Sequence, residues 1–266
     1  MKSRQRLIGV ALALASSALV APPLAFAQTG PGSLGLAAET TYVGGRGLIT
    51  DELATGLFLN PTSGTLGRHQ FTLQYCALIS KDGHETAVGH RAVAAFGLTE
   101  WFELGVGGLL DDRPGPDTQP TAAGPLARLR LLKDEGGLPE LSVGGIFVFG
   151  DRAVQKQSVY VAASKGLAIS QTGPLRSVRG HLGFRQRFVE EGKNGSFGYV
   201  GAEAELPRHV FLVTELYNKS GGAQKTPWAV GIQVRRPDGF GFTLAAVQRG
   251  ETKALSIYVG VGISFQ

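Results

Sequence analysis

The chain holds one cysteine, Cys76, among 266 residues. A lone thiol forms no intrachain disulfide and excludes zinc or iron–sulfur sites built on clustered cysteines. Long apolar runs are also missing beyond the N-terminus. After residue 27 the longest uncharged run is Leu53 to Gly67, fifteen residues broken by Pro61. A spanning helix needs about 20 apolar residues, whereas a spanning strand needs only about 9–11. Catalytic signatures are absent too. His84-Glu85 begins like a zinc-protease motif, but Val88 stands where the second histidine belongs. Gly44-Gly45-Arg46-Gly47 lacks the Lys-Ser/Thr of a phosphate loop, and no Gly-x-Ser-x-Gly elbow occurs. His181 and His209 are the only late histidines on expected strands, and no nucleophile–base–orienter set can be named around them. No enzymatic activity, metal or cofactor is expected.

What is present begins with an export signal. Lys2, Arg4 and Arg6 precede an apolar stretch from Leu7 to Val20, and Ala25-Phe26-Ala27 offers small residues for cleavage before Gln28. Removing residues 1–27 takes the basic residues from 26 to 23 against 21 acids, so the mature net charge is +2 rather than +5. That balance gives no reason to expect a nucleic-acid partner. Glycine is abundant, at 39 residues in the whole chain, well above the usual share of about 7%. Without collagen periodicity, such density suits tight turns and crowded barrel walls.

The last thirteen residues carry the clearest pattern. Leu255, Ile257, Val259, Val261, Ile263 and Phe265 form an apolar row, and Ser256, Tyr258, Gly260, Gly262 and Ser264 form the opposite one. An uncharged, glycine-rich second face suits a wall with lipid on one side and an interior on the other. Twelve such segments are expected: 69–80, 85–98, 101–110, 122–132, 139–149, 157–168, 176–188, 196–206, 209–218, 227–236, 240–249 and 254–265. Their connections alternate between tight turns, such as Pro207-Arg208 and Pro237-Asp238-Gly239, and longer polar ones, such as Asp111 to Thr121. Short periplasmic turns and longer outer loops are the outer-membrane habit. Phe71, Trp101, Phe149, Phe188, Phe197, Phe211, Trp228, Phe240 and Phe265 sit near strand ends, as interfacial girdles would place them. The expected fold is therefore all-β: an up-and-down antiparallel transmembrane β-barrel of about twelve strands over residues 68–266. Residues 28–67 form a lead-in that plugs the lumen or lies at its periplasmic mouth, with a short helix capped by Thr50.

Charges inside the strands lie opposite the apolar rows. They are Glu103, Arg128, Arg130, Arg179, His181, Arg185, Arg187, Glu203, Glu205, Glu215 and Arg235. Arg or Lys on the lipid face would cost about 2–4 kcal/mol at the midplane, so these residues are expected to face the lumen. They either select a charged solute or fill a narrow lumen with ion pairs. Adjacent strands would pair Arg185 or Arg187 with Glu203 or Glu205.

The ending Ser264-Phe265-Gln266 resembles the terminal signal strand of Gram-negative outer-membrane barrels, and Gly97-Leu-Thr-Glu-Trp-Phe-Glu-Leu-Gly105 looks like their periplasmic turns. Leu57-Phe-Leu-Asn-Pro-Thr-Ser-Gly-Thr-Leu-Gly67 is similar to the lead-in of exopolysaccharide-associated, YjbH-like barrels. The resemblance implies a location in the outer membrane, contact with its lipid and lipopolysaccharide, and insertion by the barrel-assembly machinery. The expected function is passage of a polar solute or of envelope polysaccharide. A filled structural or adhesion barrel is one alternative. A soluble periplasmic β-sandwich or lipocalin-like binder is the other.

Overall fold

The computed structural model describes residues 48–49, 53, 55–82, 85–112, 119–135, 137–151, 154–170, 172–188, 195–218, 226–250 and 255–266. The chain divides into two units, residues 1–37 and 38–266, and every described residue belongs to the second. The expected signal sequence, the helix expected at Thr50, His84 and most of the long loops fall outside the described residues.

Twelve strands close into one antiparallel barrel. They are β3 (Phe71–Asp82), β4 (Glu85–Gly97), β5 (Phe102–Asp112), β6 (Thr121–Leu132), β7 (Glu140–Gly150), β8 (Lys156–Ala168), β9 (Ser177–Phe188), β10 (Gly195–Leu206), β11 (Val210–Tyr217), β12 (Trp228–Arg235), β13 (Phe240–Gln248) and β14 (Ser256–Phe265). Each begins and ends within two residues of its expected span. Consecutive strands pair throughout, and β14 closes on β3 through partners running from Ser256↔Ser80 to Phe265↔Phe71. Closure leaves no sheet edge and no unpaired row of backbone groups. It also excludes the β-sandwich alternative.

The period-two patterning explains which face is which. Along β14, Ile257, Val261, Ile263 and Phe265 are exposed while Ser256, Tyr258 and Ser264 are buried. The same alternation puts Leu73 and Tyr75 of β3, Leu104 and Val106 of β5, and Leu182 and Phe184 of β9 outside. The wall is thus apolar outward, opposite to a soluble lipocalin-like barrel that hides its apolar rows. Two aromatics depart from the expected girdle. Phe197 and Phe211 are buried inside because their parity matches the inward rows of β10 and β11. Each carries an arginine on its ring, Arg187 at 5.6 Å and Arg235 at 4.4 Å.

The β4–β5, β10–β11 and β12–β13 turns are short and gather at one end, together with the start of β3 and the end of β14, although residues 169–176 make a longer connection there and residues 83–84 a short one at the other end. The turn at Pro207–His209 is a 3-10 turn with positive φ at Arg208 and His209. In the β12–β13 turn, Gly239 has φ 90°, and a Cβ there would strike the Ser264 carbonyl, so only glycine fits.

Before the barrel, β1 (Leu48–Ile49) and β2 (Thr55–Gly56) form a small antiparallel ribbon, and Gly56 bridges to Pro61. Leu53, Leu57, Phe58, Leu59, Asn60, Ser63 and Leu66 are all buried.

Candidate functional site: the barrel interior

The interior wall is strongly polar at its turn end. Arg235 donates from both terminal nitrogens to Glu203, at 2.6 and 2.8 Å, and both residues are buried. Glu140 accepts from Arg130 at 3.2 Å and from Arg179 at 2.6 Å. Arg128 donates to the Tyr160 hydroxyl at 2.9 Å; nearer the opposite, loop end Arg185 donates to Ser158 at 2.8 and 3.1 Å. Glu205 accepts from Ser177 at 2.9 Å. Toward the loop end, Arg91 pairs with Asp111 at 2.9 Å.

The expected ladder between β9 and β10 does not form. Glu203 stands opposite Arg179, Arg185 opposite Phe197, and Arg187 opposite Gly195. The β9–β10 connection sets this register, and residue types alone do not reveal it. Glu203 finds its cation two strands away on β12 instead.

His181 lies between two partners. Its Nδ1 is 2.8 Å from the Ser164 hydroxyl, directly across the β8–β9 pair, and its Nε2 is 3.7 Å from Glu203. The second distance is too long for a hydrogen bond. Glu203 is committed to Arg235, and Ser164 also accepts the Ser63 N–H. His209 sits at the rim, 3.9 Å from Glu205. Among the described residues, no group of three or more His, Cys, Asp and Glu is arranged to hold a metal.

The turn-end rim carries its own ion pairs. Lys133 meets Glu100 at 2.8 Å and lies over the Trp101 ring. Hydrogen bonding and charge from Lys133 hold the Glu100 carboxyl below its ordinary value. Asp134 accepts from Lys165 at 2.6 Å and from the Gly166 N–H at 2.9 Å. Burial pushes its carboxyl upward, but these contacts and the charge of Arg179 outweigh it, and the net direction is down.

Polar wall groups hold segment 57–66 mostly by its backbone. Phe58 and Leu59 N–H groups donate to Glu215 Oε1, and Asn60 Nδ2 donates to Glu215 Oε2 at 3.1 Å. The Leu66 N–H donates to Glu103 at 2.9 Å. In the other direction, Gln233 donates to the Leu57 carbonyl at 3.1 Å, Tyr199 to Pro61 at 2.8 Å, and Arg128 to Gly64. Ser63 donates its hydroxyl to Glu140 at 3.1 Å.

Glycines on the wall make room for the leucines of this region. A Cβ at Gly241 or Gly262 would lie 2.7 or 2.8 Å from Leu48, and one at Gly107 would lie 3.0 Å from Leu53. At Gly201 it would run into Leu57. Glu140, Ser164 and Gln233 were not among the sequence candidates. Their parity with Ser142, Ala162 and Arg235 was the available signal.

No family model matches the chain, and no curated protein does. Solved structures do. A KdgM porin aligns with TM-score 0.53 and 11% identity, over 73% of this chain and 99% of the porin. An outer-membrane channel from Pseudomonas putida F1 aligns with TM-score 0.50 and 13% identity, over 78% of this chain and all of that one. At these identities the likeness establishes the architecture: the closed barrel built by outer-membrane porins and channels.

Proposed function

We propose that the chain is a channel of the Gram-negative outer membrane, exported by cleavage after residue 27. It passes small polar solutes through an interior that residues 55–67 close at rest. The observation that carries this reading is the chemistry of the wall behind the segment. Glu103, Arg128, Glu140, Glu215 and Gln233 face it. A permanent core is more cheaply built from apolar side chains, since buried charges recover their desolvation cost only with excellent partners. The same groups would suit a hydrated passage once the segment withdraws. Architectural likeness to a porin and a channel supports passage in general. The interior charges, Arg179, Arg185 and Arg187 included, would then select among charged solutes.

A filled barrel without a pore is the second reading. Leu53, Leu57, Phe58, Leu59 and Leu66 belong to one buried apolar cluster with wall residues such as Val93, Val213 and Ala229, and that packing favours it. Polysaccharide export gains no support from the comparisons.

Crowding the leucine seats separates the two readings. Gly201→Ala and Gly241→Ala would press on Leu57 and Leu48. In planar bilayers the channel reading expects both variants to raise the open fraction at unchanged unitary conductance. Silence from folded, inserted wild type and variants alike would support the filled barrel.

A further inference from the structure

We infer that the barrel interior is a binding site for peptides, with residues 57–66, which bend at Leu57–Asn60, as its built-in occupant. The inference rests on the channel reading and names a ligand class for it.

The wall contacts alternate in the sense a polypeptide backbone requires. Gln233, Tyr199 and Arg128 donate to the carbonyls of residues 57, 61 and 64, while Glu215, Ser164 and Glu103 accept N–H groups of residues 58, 59, 63 and 66. Side-chain hydrogen bonds with the wall are fewer and go through Asn60, Ser63 and Thr65. A seat that reads main-chain amides is tolerant of sequence, because every peptide carries them.

Glu215 sharpens the point. Among the described residues, Glu215 takes its hydrogen bonds from the segment: backbone N–H groups of Phe58 and Leu59 and the Asn60 carboxamide. With the segment gone, a carboxylate in the wall would need other donors. A second peptide supplies the same paired N–H groups. The glycine sockets at Gly107 and Gly201 would accept branched apolar side chains beside them. A sugar can satisfy single donors or acceptors through its hydroxyls, but it lacks the repeated N–H and C=O groups that the wall meets at residues 57 to 66.

The test uses a lockable full-length mature chain. A Cβ at Gly107 lies 3.4 Å from the Leu53 Cβ, close to the disulfide range of about 3.5–4.5 Å. Leu53→Cys with Gly107→Cys, in a Cys76→Ser background, should tie the segment to the wall on oxidation. The probe is a fluorescein-labelled peptide of residues 57–66, followed by anisotropy in detergent. An order-scrambled peptide of the same composition and unlabelled maltohexaose serve as comparators.

Reduced protein is expected to bind both peptides saturably, with affinities within about threefold. Oxidation should weaken binding by about tenfold or more, whereas partition into micelles would not respond to the lock. Maltohexaose should not compete. The inference is overturned by absence of saturable binding to reduced protein, by binding indifferent to oxidation, or by displacement with maltohexaose. Conductance recorded in parallel separates the two claims. Peptide binding without conductance keeps the peptide site and removes the channel. Conductance without peptide binding does the reverse.

Discussion

At the scale of single residues, the interior is held by charges whose partners are specific. Arg235 and Glu203 form a bidentate pair, with Arg235 also stacked on Phe211. Losing Glu203 leaves the buried Arg235 guanidinium without its carboxylate, with Gln233 Oε1 as a neutral acceptor, and breaking such a buried pair costs about 3–5 kcal/mol. Glu203→Gln is therefore expected to lower stability by that order in urea titrations of the detergent-folded protein. Replacing both partners with apolar residues of similar size should recover most of the loss. Asp134 gives a pH-dependent counterpart at the rim. Its folded pKa lies below the unfolded 3.8. The stability it contributes is complete above 3.8 and disappears as pH falls through the folded value. The melting temperature should accordingly fall on the acid side of pH 3.8, and Asp134→Asn should flatten that limb. An acid limb unchanged in Asp134→Asn would assign it to other carboxylates.

At the scale of strands, glycines and tyrosines interlock across neighbouring strands. Tyr160 stands opposite Gly144 and Tyr199 opposite Gly183, and each ring covers the space where the glycine has no side chain. Such aromatic cover compensates for the missing side chain. It also aims the Tyr199 hydroxyl at the Pro61 carbonyl. Gly183→Val would expel the ring, at a cost of about 1–3 kcal/mol for overpacking. The variant is expected to unfold at lower denaturant and to release the segment more readily, seen as faster proteolysis within residues 57–66. These strands were legible in the sequence because one face repeats every second residue, as in Ile257, Val261 and Ile263. Register was not. Arg185 and Glu203 share a face, but only the β9–β10 connection decides that Arg185 meets Phe197. Phe197 and Phe211 misled for a related reason: position near a strand end suggested a girdle, while parity turned them inward.

At the scale of the whole molecule, closure of β14 on β3 makes the interior a separate compartment, and the chain fills part of it with its own N-terminal region. The contacts of residues 57–66 leave no periodic trace in the sequence. Glu215 and Phe58 are 157 positions apart, and nothing local in either neighbourhood announces the bond. Barrel and lead-in could thus be told apart by patterning, but their engagement could not. Whether the segment is a gate or a permanent core is the central question, and the Leu53→Cys/Gly107→Cys lock in the Cys76→Ser background addresses it most directly. Single-channel current should be recorded from one inserted barrel through oxidation and then reduction. The account expects discrete ion-conducting steps under reducing conditions, their loss on oxidation, and their return when the disulfide is cleaved. Steps that persist unchanged in the verified oxidised form, or no steps in either form of a folded, inserted barrel, would contradict it.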